Sequence, residues 1–391
     1  MQGYIRPRGK GRWQVVLDGG KAEDGKRKQF FRTVIGPKRA AHAALAEMHR
    51  ELQTGSFVEP SRLTVSEFLD KWLADMRSRV SPNTWERYSL AIRRHLKPHL
   101  GQRQLMKLEP LQLTTLYTHL QEHGGVNRGA LSARTVRHTH VILRSALRQA
   151  VKWRLLTRDP SDAVSPPRPH RSEMRALIDA EMATLLGQAR GTRLHLPILL
   201  AMSTGLRRSE IFGLRWKDVD FEAGQLAVRQ TLQESRKILY IREPKSGKSR
   251  RTVALSSLVV EALKSHRATQ AAERLALGDA YRDQDLVHAK YDGSPWKPNS
   301  ICTLFKALVK KANLGHVRFH DLRHSHATQL LRLGVPAKVV SERLGHATIG
   351  ITLDTYTHVM PGMQEDAAKK TDQALRAAIS GQQATTRTET A

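Results

Sequence analysis

The sequence predicts an α+β multidomain protein: a small N-terminal β-sheet plus helix, a four-helix domain, and a mainly helical domain with a second small β-sheet. Three observations lead there. The chain has 391 residues, well beyond the roughly 250 at which a single hydrophobic core stops growing. Short aromatic and β-branched runs between Gly and Lys turns mark two separate places, one near the start and one around residues 225–255. Elsewhere apolar residues recur at helical spacing between recognisable caps.

The elements follow in order. "GRWQVVLDGG" and "KRKQFFRTVI" alternate as strands, and "KRAAHAALAEMHRELQTG" reads as one Ala-rich helix closed by Gly55. Past Pro60 come "TVSEFLDKWLADM", then "SPNTWERYSLAIRRHLKPHLG" with Ser81 as N-cap and Pro82 at the first helical position, then "LQLTTLYTHLQEHGG". A fourth helix from Ser132 puts Val136, Leu143, Leu147 and Val151 on one side, and leaves Arg134, Arg137, Arg144 and Arg148 free to meet phosphate. Four prolines between Asp159 and Arg171 hold the chain extended as an interdomain linker. In the third segment, "LPILLAMSTGLRRSEIFGLRW" is an apolar helix that breaks at Gly205 and restarts, with Arg207 at the new start and Glu210 three residues on. "QLAVRQ" and "KILYIREPKSGKSRRTVAL" read as strands, with Lys245 in the turn between two of them. "FHDLRHSHATQLLRLG" is a helix closed by Gly334 that sets His320 and Arg323 on one face, and "PAKVVSERLGH" is another closed by Gly345. The tail after Lys370 reads as one short helix dissolving into a polar end. The expected division is 1–60, 61–160, a linker at 161–172, 173–370 and a tail at 371–391.

Composition narrows the function. Sixty-five Lys+Arg against 36 Asp+Glu give a net charge of +29, which calls for a polyanionic partner, nucleic acid first. The longest apolar stretch, "LHLPILLAM", is far short of the ~20 residues a membrane span requires, and "MQGYIRPRGKGRW" has no apolar signal region. One cysteine, Cys302, excludes an internal disulfide and a Cys-rich zinc site. The expected class is a soluble cytoplasmic, nucleoid-associated protein with no membrane partner. "GKAEDGKR" has the spacing of a phosphate-binding loop, but Arg27 stands where Ser or Thr is required and a strand follows, so no ATP-driven chemistry is read from it. His320 and His324 are spaced i,i+4 like a two-His metal clamp, yet no Glu follows the first, and the neighbouring Asp321 points off that face. No metal and no cofactor are expected.

What remains is a set: Arg207, Lys245, His320, Arg323, His346 and Tyr356. Three cations, two imidazoles and a phenol, with no acid cluster to hold magnesium, suit stabilisation of a pentacoordinate phosphate. A His and an Arg on one helix are by themselves usually just an exposed face; it is the whole set that argues. Of seven tyrosines, Tyr356 lies ten residues after His346 in a polar stretch expected to leave it exposed. A phenol of pKa about 10 needs a base and a cationic field to attack.

"TGLRRSEIFGLRW", "EPKSGKSRRTVAL", "HDLRHSHAT" and "LGHATIGITLDTYTHV" resemble, in order and spacing, the successive motifs of the tyrosine recombinase family, the phage integrases and their relatives in conjugative transposons. Residues 63–158 resemble the family's helical core-binding domain, and residues 4–57 its three-stranded arm-type DNA-binding domain. The resemblance implies a C-shaped clamp on duplex DNA and strand exchange through a 3′-phosphotyrosine and a Holliday junction. It implies a homo-oligomer, a tetramer on double-stranded attachment sites, with DNA-bending and excisionase proteins as possible accessories. It places Arg207 and Arg323 on the scissile phosphate, Lys245 as proton donor to the departing 5′-oxygen, and His320 and His346 as donors or phenol relays. Glu210 is expected to orient a neighbour, and Tyr356 is the nucleophile.

Two other readings compete. A type IB topoisomerase would share the chemistry, but the N-terminal segment and the Pro linker favour recombination between specific sites. A helix-turn-helix regulator would explain "ATQLLRLGVPAKVVSERLGH" and the charge, but leaves Arg207, Lys245 and Tyr356 without a task.

Overall fold

A computed structural model describes residues 3–21, 27–54, 57–125, 129–170, 175–235, 238–243, 250–356 and 363–388. Chain contacts divide it into two compact units, Met1–Ser172 and Glu173–Ala391. Both combine helices with small sheets or helices alone, as the α+β expectation has it.

In the first unit, strands Gly3–Pro7, Arg12–Lys21 and Arg27–Ile35 form an antiparallel sheet, and the Lys38–Gln53 helix packs on one face through Ala41 and Met48 against Val15, Leu17 and Phe30. Strand alternation sends the remaining side chains the other way, and Tyr4 and Phe31 stay about half exposed at 50% and 45%. The helical part is built from caps. Thr64 and Glu67 close a reciprocal capping box on the Val65–Arg79 helix, while Ser81 and Ser132 cap Pro82–Ala91 and Ala133–Lys152. These helices, with Pro110–His123, enclose a core around Phe68, Trp72, Leu113 and Leu143.

Three local expectations change here. The helix begun at Pro82 does not run straight to Gly101: Ile92–Leu96 is a π turn in which the Lys97 N–H reaches back to the Ile92 carbonyl. Pro98 explains it, since its ring has no N–H to donate and crowds the preceding turn. Arg144 is not free for phosphate, because its Nη2 donates to Asp162 at 2.6 Å. The start of the Pro-rich stretch is no loose linker either: Pro160–Ala163 is a 3₁₀ turn, and Pro160, Ser161 and Val164 are buried against the helical core.

The second unit is organised around the His195–Thr204 helix, which is apolar nearly all round and contacts Asp179–Ala189, Ser257–Leu277 and Asp321–Arg332. The 21-residue Ser257–Leu277 helix stands in a region where the sequence pattern gave only a mixed stretch. Strands Val219–Asp220, Gln225–Val228 and Arg251–Ala254 form one small sheet, and Thr231–Ser235 with Ile238–Arg242 form a separate hairpin. The described strands that flank Lys245, Ile238–Arg242 and Arg251–Ala254, pair in different sheets. Lys245 itself lies outside the described residues. The tail helix runs Met363–Thr388, far longer than the short one expected, in keeping with a segment rich in Ala, Gln, Lys and Arg.

Candidate active site

The site is assembled at helix ends. The His195–Thr204 helix stops at Gly205, whose φ of 66° lies in the left-handed region that glycine adopts without cost. A Cβ there would also come within 2.5 Å of Leu344 and 2.7 Å of His326. The chain then turns so that Arg207 becomes the N-cap of Arg208–Ile211. The second left-handed stop is Gly345, at φ 67°, ending Ala337–Leu344 and delivering His346.

Both glycines, beyond turning the chain, offer carbonyls to the two arginines. Arg323 Nη1 donates to the Gly205 carbonyl and its Nη2 to the Leu344 carbonyl, both at 2.7 Å. Arg207 Nη2 donates to the Gly345 carbonyl at 3.2 Å. Because Leu344 and Gly345 are adjacent, the two guanidiniums are held side by side. Glu210, buried beneath them, accepts the Arg207 backbone N–H at 2.9 Å and its Nη1 at 2.8 Å. The same carboxylate accepts from Arg251 at 3.0 and 3.2 Å, and Arg251 Nε donates to the Arg343 carbonyl. Those two cations hold the Glu210 carboxyl below its usual range despite the burial that opposes it.

Charge is not balanced in this cluster. Arg323 is 2% exposed, bonds only carbonyls among the described residues, and is pushed down to about 9 by burial and by neighbouring Arg207. Its Nε and one hydrogen on each Nη have no acceptor among the described residues. A buried guanidinium with spare donors, beside a second one that reaches solvent, is an anion site with planar, two-pronged donors.

The imidazoles and the phenol border it. His320 caps Asp321–Arg332 and opens to solvent, while Asp321 turns away to Arg318 at 2.8 Å. His346 Nδ1 meets Thr352 Oγ1 at 2.8 Å, and burial and the nearby arginines push its pKa down to about 4. Tyr356 ends the Ile349–Tyr356 helix. The expectation that it is exposed is wrong: it is 1% exposed and packs with Ala327, Leu331, Val340 and Leu344. Thr352 and Tyr356, four residues apart on one helical face, both turn inward, while Ile349, Ile351 and Leu353 face outward and are exposed. Its hydroxyl meets His324 Nδ1 at 2.7 Å, and burial raises its pKa to about 12 while Arg323 pulls against that rise.

Arg207, His320, Arg323, His346 and Tyr356 thus border one centre. His324 and Arg251 were not singled out as site residues. For His324 the signal was present, as the i,i+4 partner of His320; their rings stand 4.8 Å apart, edge to face. Among the described residues no group of three His, Cys, Asp or Glu is placed to hold a metal ion, and no helix is long and apolar enough to cross a membrane.

The phage integrase family profile matches residues 170–362, and the phage integrase N-terminal SAM-like domain matches residues 64–121. A XerC-like tyrosine recombinase of Caldanaerobacter subterraneus is 29% identical over 388 residues, 94% of this chain and 97% of its own. The ICEBs1 integrase of Bacillus subtilis is 25% identical over 346 residues, 88% and 92% of the two chains. Among solved structures, the Tn1549 transposon integrase in complex with transposon right end DNA shares the fold with a TM-score of 0.67 at 22% identity, over 80% of this chain and 99% of that one. A lambda integrase dimer bound to a COC′ core site gives 0.57 at 18%, over 75% and 95%. Fold and site define an enzyme that breaks and rejoins DNA. The chain belongs to the tyrosine recombinase family and is a site-specific recombinase of the integrase type; the topoisomerase and regulator readings find no support.

Proposed function

We propose that this recombinase integrates or excises a mobile element at double-stranded attachment sites, acting as a homo-oligomer, a tetramer on DNA. Arg207 and Arg323 grip the non-bridging oxygens of the scissile phosphate. Tyr356 Oη attacks phosphorus, the bond to the 5′-oxygen breaks, and the 3′ end stays on the enzyme as a phosphotyrosyl ester. Lys245 gives the departing 5′-oxygen its proton, and His320 and His346 donate to phosphate oxygens. A phosphotyrosyl ester keeps roughly the free energy of the phosphodiester it replaced, so a 5′-hydroxyl from a second duplex reverses the attack without nucleotide. Two such exchanges pass through a Holliday junction.

The observation that carries this reading is Arg323: a nearly inaccessible cation with unmet donors, beside Arg207 and within the field of the Tyr356 phenol. Residues 61–160 and 173–370 each contact the core site. Residues 1–60 hold a separate arm-type site through the sheet face that carries Tyr4, Arg6 and Phe31, where Arg6 and Arg8 both donate to Gln14 Oε1. The protein works free in the cytoplasm on the nucleoid.

The test is a covalent trap. A library of nicked duplexes with a randomised core is incubated with the protein, the denatured complex is recovered, and both the bound DNA and the modified peptide are sequenced. The expected result is one duplex sequence class joined through its 3′-phosphate to Tyr356. Adduct at another residue, or no adduct from the library, overturns the proposal. Excess EDTA in the same reaction leaves trapping unchanged, because the cations take the part a metal would play.

A further inference from the structure

Resting on that reading, we propose that His324 is the base that takes the Tyr356 proton as the phenol attacks phosphorus, and that it returns the proton when the strand is rejoined. The resemblance gave the relay to His320 or His346, and the geometry points elsewhere. His346 Nδ1 is committed to Thr352 Oγ1 at 2.8 Å. His320 makes no hydrogen bond to the phenol among the described residues and meets the ring of His324 at 4.8 Å. His324 alone among the described residues hydrogen-bonds the Tyr356 hydroxyl, at 2.7 Å from Nδ1, inside the reach a general base needs.

The direction of that bond follows from the surroundings. Ala327, Leu331, Val340 and Leu344 wall the phenol, so a hydroxyl proton turned from His324 would have no acceptor among the described residues. The phenol therefore donates, Nδ1 accepts, and the imidazole carries its proton on Nε2. Burial and His320, Arg323 and Arg318 disfavour a charge on His324, Asp321 favours one, and its pKa stands at about 4. At neutral pH it is thus an unprotonated acceptor. His346 also lies within its electrostatic reach. At rest the proton belongs to the phenol. It moves as the Oη–P bond forms, when the bound phosphodiester brings negative charge beside the imidazole and makes the cation tolerable. In the forward step Oη–H breaks, Nδ1–H forms, Oη–P forms and P–O5′ breaks. The reverse step restores each, with the 5′-hydroxyl as nucleophile.

Tautomer and kinetics test this separately. Nitrogen NMR of the DNA-free protein is expected to show His324 with Nδ1 bare and Nε2 protonated; the opposite tautomer overturns the proposal. Single-turnover adduct formation is then measured on the duplex recovered by the covalent trap. His324→Ala is expected to fall by about 10²–10⁴-fold at pH 7, and its remaining rate to climb about tenfold per pH unit up to about pH 8, below the loss of the Arg323 proton, as the small phenolate fraction grows. The defect is expected to persist on a duplex whose scissile 5′-oxygen is sulfur, since that leaving group needs no proton and only the nucleophile's proton remains at issue. His324→Asn supplies an acceptor that takes no proton. It is expected to bind the duplex normally and to stay slow; full recovery in Asn makes His324 a positioning residue and overturns the proposal, as does an Ala variant within threefold of the parent. Adduct surviving in Tyr356→Phe instead defeats the underlying assignment of the nucleophile, whatever the His324 variants do.

Discussion

Each unit of the protein contains one buried tyrosine hydrogen-bonded to a histidine Nδ1. In the first, Tyr117 meets His140 at 2.9 Å, both 3% exposed. In the second, Tyr356 meets His324 at 2.7 Å. The pairs are alike in distance and helical origin, though His324 is only partly buried where His140 is fully so, and they differ in field. Near Tyr117 stands the Asp159 carboxylate, which adds to burial and pushes the phenol further from ionising. Near Tyr356 stands Arg323, which works against burial. A Tyr–His hydrogen bond is therefore no sign of chemistry by itself. What separates the core contact from the candidate nucleophile is the sign of the charge acting on the phenol itself, Asp159 in one and Arg323 in the other.

The largest effect expected follows from that contrast. Tyr356→Phe loses covalent adduct formation altogether while keeping near-normal affinity for the trapped duplex, because only the attacking oxygen is removed. Tyr117→Phe keeps adduct formation within about twofold, the near-neutral outcome of a change that touches none of the site residues. Denaturing gels of the trapped complex decide both, and loss of adduct in Tyr117→Phe would erase the distinction drawn here.

Next in size is the separation of field from proton transfer. Lys245→Ala is expected to slow cleavage by about 10²–10⁴-fold and to recover most of its rate when sulfur replaces the bridging 5′-oxygen. Arg207→Ala slows cleavage too, but sulfur does not rescue it, since its work is on the non-bridging oxygens. Rescue of Lys248→Ala instead of Lys245→Ala would move the acid by three residues. Failure of both lysine variants on sulfur would leave that segment as a backbone contact.

Much of this centre was legible because the sequence marks chain ends well. Gly205 and Gly345 announce left-handed stops, Arg207, Glu210 and His346 follow them within a few residues, and Arg323 is marked by its spacing from His320. Local rules could not say what two distant segments do to each other. His324 shares its face with His320, so spacing offered a metal clamp, and only the fold brings Tyr356 from 32 residues away onto its ring. Arg251, forty-one residues from Glu210, looked like one more charge in a basic run. Tyr356 was misjudged for the same reason, since residue types did not tell which face of this helix meets the core: Ile349, Ile351 and Leu353 are exposed and Thr352 is buried beside Tyr356.

Acid provides a third, smaller contrast. His324, His326 and His346 have pKa values of about 4 in the folded protein, against about 6.5 when unfolded. The unfolded chain therefore binds more protons between those values, so stability is full above about pH 6.5 and falls as pH drops toward 4. At the acid end Glu210 and Asp321, both lowered by arginine partners once burial is overcome, lose their ion pairs as well. Calorimetry should give a melting temperature that declines across this window, and a flat profile would show that these imidazoles titrate as freely as exposed ones.

The smallest effect concerns the first pair, and it measures what a Tyr–His bond is worth without a cation acting on the phenol. Tyr117→Phe keeps the ring, which packs edge-on to His140 at 5.5 Å, and so opens no cavity. It removes one hydroxyl and leaves His140 Nδ1 buried without that partner. A neutral hydrogen bond contributes about 0.5–1.5 kcal/mol net, with a further penalty where the remaining group cannot find water. For a unit of this size that is a fall of about 2–4 °C per kcal/mol. His140→Phe removes the other side of the bond, and in the double variant the two losses should not add, because once one partner is gone the other has nothing left to lose. Additive losses would mean the two groups do not act as a pair. A combined loss smaller than either single one would show that the cost lay in the stranded polar atom and not in the bond itself.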